Sequence, residues 1–201
     1  MKYTKNIALA SGCGLVFFLI TIILMHLLRP DLHLLSSSVS EYAVGDYGWL
    51  MTNGFLSLAI SALLLETGLL LSIRASKTSI ITLSLFCIGS FLFTIFPTDI
   101  PVNKPTPRGL VHGFSALLAL LNLGIAMIVW GFVFKKTRHW SSLAKLSWFF
   151  GVVSLVLFIL FLATPVPFRG FSERILMGWD ISWLIVISRR LYQHAALVAT
   201  V

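Results

Sequence analysis

The sequence predicts an all-α membrane protein, a bundle of six transmembrane helices with both termini in the cytoplasm. Three observations carry this expectation. Six apolar runs, each about the length of a membrane span, are separated by polar segments. Charged residues make up only 11% of the 201-residue chain and hydrophobic ones 58%, against about 25% charged in soluble domains. Lys and Arg gather at alternate connections.

The runs cover residues 7–28, 47–73, 78–96, 110–134, 143–164 and 171–188, within a single domain over 1–201. A helix needs about 20 residues to cross roughly 30 Å of hydrocarbon, whereas a membrane strand needs about 9–11 alternating ones. Helices follow. In the first run Ala10-Ser11-Gly12-Cys13 resembles a lipoprotein processing box. The run continues past it and ends without a small-residue cleavage site, so a retained helix is expected. The sixth run is the weakest, because Glu173, Arg174 and Asp180 interrupt it.

Orientation follows from the cations. Lys2, Lys5, Arg74, Lys77, Lys135, Lys136, Arg138, Lys145, Arg189 and Arg190 fall on one side; Arg29, Lys104, Arg108, Arg169 and Arg174 fall on the other. The richer side is cytoplasmic, which places the chain in the cell membrane with both ends inside. The formal charge of +8 is then an orientation signal and an attraction to anionic lipid, not a nucleic-acid footprint, which requires a basic face on a folded module. Cys13 and Cys87 lie inside apolar runs and form neither a disulfide framework nor a metal spacing. Phosphate-binding loops, dinucleotide fingerprints and metalloprotease or hydrolase signatures are absent from the sequence.

Asp31, Glu41, Asp46, Asp99, Glu173 and Asp180 belong to the outer half, and Glu66 to the inner. The outer segments 29–46, 97–109 and 165–172 are therefore the expected working face. Each candidate there also has a structural reading. Ser38 and Glu41 have capping-box spacing; otherwise Glu41 is a ligand group. Asp99 and His112 bracket a proline-rich hinge over 96–113. Facing each other, they form an acid–base pair or share a metal such as zinc. In the structural reading Asp99 makes turn hydrogen bonds and His112 bonds a carbonyl. Gly109 and Gly113 form Gly-x-x-x-Gly, which sets His112 at a helix seam or supports a homo-oligomer.

Glu173, Met177 and Asp180 share one face of the sixth helix, and Asp180 lies about 13 Å into the span at 1.5 Å per residue. A charge at mid-span costs about 2.5–3.5 kcal/mol on insertion scales, which makes Asp180 a functional candidate. Glu173 and Arg174 are expected to form an ion pair. Arg108 and Arg174 have the donors to hold an anionic headgroup. Glu66 is expected to snorkel towards cytoplasmic cations, and Asn53 and Asn122 to cross-link helices. His26 with His112 would suit haem, while His33, His139 and His194 read as solvated.

Ser-Val-Ser-Glu-Tyr at 38–42, Gly48-Trp49-Leu50, Phe-Pro-Thr-Asp at 96–99, His112-Gly113 and Ser172-Glu173-Arg174 together resemble a prokaryotic membrane family catalogued as domain of unknown function 998. The resemblance implies six membrane helices and carries no activity onto these residues. Two functions stay open. One is a protein that binds or moves a lipid headgroup or small polar solute through an outward pocket of Glu41, Asp99, Arg108, His112, Arg174 and Asp180. The other is an intramembrane hydrolase or transferase acting on lipid through Asp99 and His112. Membrane lipids are the expected partners in either case.

Overall fold

The computed structural model describes residues 2–100 and 106–198, so the middle of the hinge, with Lys104, lies outside the described residues. Its helices are α1 (Lys2–Leu28), α2 (Gly48–Ser72), α3 (Lys77–Ile95), α4 (Pro107–Lys135), α5 (Ala144–Ala163) and α6 (Arg169–Val198), with a 3-10 turn over Val39–Ala43. Each helix packs on the next and α6 closes back on α1, forming a ring; α6 also touches α2 and α4.

Local chemistry sets the boundaries. Ser76 caps α3 by accepting from the Ser79 N–H at 3.1 Å. Thr106 caps α4 through the Gly109 N–H at 3.2 Å, and Pro107 occupies the first helical position, where its missing donor costs nothing. Small residues let the helices close. A Cβ at Gly89 would lie 2.7 Å from the Ser115 carbonyl across the α3–α4 seam, and one at Gly151 would lie 2.8 Å from the Gly124 carbonyl across α4–α5. Large apolar side chains such as Ile23, Phe132, Phe149 and Ile159 point outwards, as lipid-facing surfaces require.

Helices α1 to α5 are each long and apolar enough to cross a membrane; α6 is not apolar enough. It nevertheless runs the length of the bundle. Its first turn meets the α1–α2 connection, where the Phe171 N–H donates to the Leu35 carbonyl at 3.0 Å. Further on, Ser188 bonds Ser11 at 2.9 Å, and His194 reaches the α4–α5 connection, 5.8 Å from His139 ring to ring. Its stripe of Leu176, Asp180, Leu184, Ile187 and Leu191 is buried, so the Asp180 carboxyl is screened by neighbouring helices, while Arg189 and Gln193 are exposed. His194 is also not solvated as expected: it is half-buried, with its edge against the buried Trp140 at 5.9 Å.

Candidate functional site

The six candidates fall into three groups, and no hydrogen bond or ion pair joins one group to another among the described residues. The first lies where α1 ends and α6 begins. Arg174 donates from Nε to His26 Nε2 at 3.0 Å, from Nη1 to the carbonyls of Ser37 at 2.7 Å and Gly170 at 2.8 Å, and from Nη2 to the Tyr42 hydroxyl at 3.1 Å. The His26 Nδ1 side bonds the Ile22 carbonyl. A guanidinium can only donate, so His26 Nε2 is the acceptor in this pair. Glu41 reaches back to the Ser38 N–H at 2.8 Å, the capping contact its spacing predicts.

Here the expected Glu173–Arg174 ion pair does not form. Adjacent helical residues do not face each other. Glu173 instead accepts from the Val39 N–H at 3.1 Å, and the ion pair within reach among the described residues is Arg29–Asp31 at 2.7 Å. Arg29 is only 8% exposed. It grips both oxygens of Asp31 and the carbonyls of Val44 and Asp46, stapling the α1–α2 connection. The hydrogen bonds from Arg29 hold the Asp31 carboxyl below its usual range.

The second group is the α3–α4 turn. Asp99 accepts from the Thr106 N–H at 2.6 Å and the Thr106 hydroxyl at 2.8 Å. The His112 Nδ1 side bonds the carbonyls of Phe96 at 2.8 Å and Phe93 at 3.3 Å. The two side chains make no hydrogen bond to each other, so a backbone carbonyl, not a carboxylate, orients the imidazole. The Asp99 carboxylate packs directly over Gly109, while Gly113 faces open space. The close helix approach expected at these glycines therefore runs through Gly89 instead. His112 is still buried at a seam, 7% exposed. Arg108 is exposed.

The bonds from the Thr106 amide, ahead of those from its hydroxyl, hold the Asp99 carboxyl below its usual value. A depressed folded value means the turn is fully stabilised above about pH 4, the ordinary Asp range, and loses that support as pH falls through the lowered value. The protection factors of the Thr106 and Gly109 amides, exchange normalised to the intrinsic rate at each pH, are thus expected to fall under acid in the parent. Asp99→Asn should already exchange fast at neutral pH.

The third group is the deepest. Asp180 is 2% exposed and accepts from the Ser154 hydroxyl of α5 at 2.6 Å. Its second oxygen is buried with no hydrogen-bond partner among the described residues. Nearby indoles are anchored, Trp179 to the Phe150 carbonyl at 2.9 Å and Trp183 to the Ser147 hydroxyl at 3.0 Å. A groove of about 400 Å³ opens along the α5–α6 seam at the end where α5 stops and α6 starts, lined by Leu157, Leu160, Thr164, Phe168, Ser172 and Ile175 among others.

Other polar residues depart from expectation. Glu66 is 4% exposed and does not snorkel. Ser84 donates to it at 2.9 Å and the Cys87 thiol at 3.7 Å, tying α2 to α3. Glu66→Leu, which strands both donors, should lower thermal stability more than Glu66→Gln, which keeps an acceptor; melting of the purified variants checks this. Asn53 and Asn122 bond the carbonyls of Trp49 and Leu118 in their own helices and cross-link nothing. The His26 imidazole belongs to Arg174, not to a shared site with His112. Among the described residues no group of three or more His, Cys, Asp or Glu is placed to hold a metal.

A model of the family described as protein of unknown function (DUF998) matches residues 13–190. The chain belongs to that family. The match runs from α1 into the last third of α6 and so takes in all three groups. No curated protein and no solved structure matches this chain.

Proposed function

We propose that the protein is a cell-membrane carrier or receptor for a small solute or lipid headgroup bearing a positive charge, with Asp180 as its central ligand. Both termini sit in the cytoplasm on this reading, by the distribution of Lys and Arg. The observation that carries it is the partnerless, buried oxygen of Asp180. A carboxyl removed from water is costly unless a donor or cation meets it, and Ser154 supplies a single hydrogen bond. A cationic ligand would complete the site.

The outer cluster supports the reading differently from the expected shared pocket. Glu41, Asp99 and Arg174 are committed to Ser38, Thr106 and the His26–Tyr42–Ser37 set, so they frame the face and do not line the site. Entry runs along the α5–α6 groove, whose Leu157 lies three residues from Ser154, about one turn of helix. Reaching Asp180 requires the two helices to part.

A thermal-shift screen of the purified protein against phosphocholine, ethanolamine, primary amines, neutral sugars and carboxylates tests this. A cationic member should raise Tm by several degrees at a hundredfold excess over Kd and leave Asp180→Asn unmoved. Equal shifts in parent and Asp180→Asn would remove Asp180 from the site.

A further inference from the structure

A second groove lies on the opposite half of the bundle, between α1 and α6. Its volume is about 480 Å³, and its walls include Leu9, Cys13, Phe17 and Ile20 from α1 and Ile185 and Arg189 from α6. We propose that it seats one acyl chain of an anionic phospholipid whose headgroup is held at the basic end.

Dimensions, chemistry and charge agree on that occupant. The α1 wall runs from Ala8 to Ile20, about 18 Å of helix at 1.5 Å per residue; one leaflet of a roughly 30 Å hydrocarbon layer is about 15 Å. The walls are apolar over most of that length. At one end stands Arg189, exposed, beside Tyr192 of the same wall. Lys5 lies over the Tyr192 ring at 5.3 Å, one turn before Leu9 on α1. Two cations therefore meet a chain-length slot at one mouth, and no acid lines it. Gly12 forms part of the floor, and a Cβ there would meet nothing within 4 Å. The absence of a side chain at Gly12 leaves the middle of the slot open. A second protein copy would gain little from cations at one end, whereas a phosphodiester is their natural counter-ion. This site is independent of Asp180.

Native mass spectrometry of the full chain in detergent, with added phosphatidylglycerol or phosphatidylcholine, tests the proposal. Phosphatidylglycerol should be retained at least tenfold better by the parent. Lys5→Ala with Arg189→Ala should bring it down to the phosphatidylcholine level. Gly12→Leu, which fills the slot from inside, should release both lipids with Tm unchanged. Equal retention of the two lipids by the parent overturns the proposal, as does Gly12→Leu holding phosphatidylglycerol like the parent. Should Gly12→Leu misfold, the double alanine variant still decides. Oxidative cross-linking through the exposed Cys13 guards against the other occupant: rapid, near-complete dimers in native membranes would place a second copy in the groove and overturn lipid occupancy.

Discussion

Arg174→Met should destabilise the protein by roughly 1.5–3 kcal/mol, the range for losing hydrogen bonds from a charged, partly buried group. The substitution keeps the apolar stem and removes every donor. It strands the lone pair of His26, the Ser37 carbonyl and the Tyr42 hydroxyl at once, and it removes the cation over the Tyr42 ring at 5.5 Å. These partners come from α1 and the 29–46 connection with its Val39–Ala43 turn, so the closure of α6 on α1 weakens where α6 begins. Arg174→Lys should recover only part of the loss, because one ammonium cannot span donors that point in separate directions. Arg108→Met, exposed on α4, should stay within about 0.5 kcal/mol of the parent. Thermal melting of the three variants in detergent checks the order.

Asp180→Leu should do the reverse. Leucine has the same branched shape as aspartate but no polar atoms, so it removes an unmatched buried oxygen without opening a cavity. Leaving a buried polar atom unsatisfied costs about 1–3 kcal/mol, which the substitution recovers. Ser154 would lose its carboxylate acceptor and can turn to a carbonyl of its own helix. A more stable protein that has lost the cationic ligand is therefore the expected result, as it is where a binding site is held at the expense of stability. A less stable Asp180→Leu would mean that the carboxylate serves the fold.

Much of the architecture was legible because run length and hydropathy act over about 20 residues and leave little choice of structure. The boundaries of α2, α3 and α5 fall within a residue of the predicted ones. Helix α6 extends ten residues beyond its predicted end, to Val198. Arg189, Arg190 and Gln193 close an apolar window but do not break a helix, and Leu191 and Ala195 keep its buried stripe going. Capping was legible too, since Ser38–Glu41 is local chemistry.

Side-chain pairing was not legible. Proximity in sequence suggested Glu173–Arg174, but helix geometry turns consecutive side chains roughly 100° apart, and Glu173 meets Val39 instead. Glu66 read as an inner-end snorkel, yet it lies on the face that meets Ser84 and Cys87, which only the α2–α3 packing defines. The Arg174–His26–Tyr42 set left a faint signal: His26 sits near the end of α1 and Arg174 near the start of α6, at the same end of an up-and-down bundle.

Cysteine accessibility at Ser154 probes most directly whether a positively charged solute reaches Asp180 from the outer face. Ser154→Cys is placed in a Cys13→Ser, Cys87→Ser background and treated from outside with cationic or anionic methanethiosulfonate of similar size. Modification by the cationic reagent is expected at least tenfold faster than by the anionic one, with the preference lost in Asp180→Asn. A thiol that reacts with neither reagent, or with both at one rate, would contradict it.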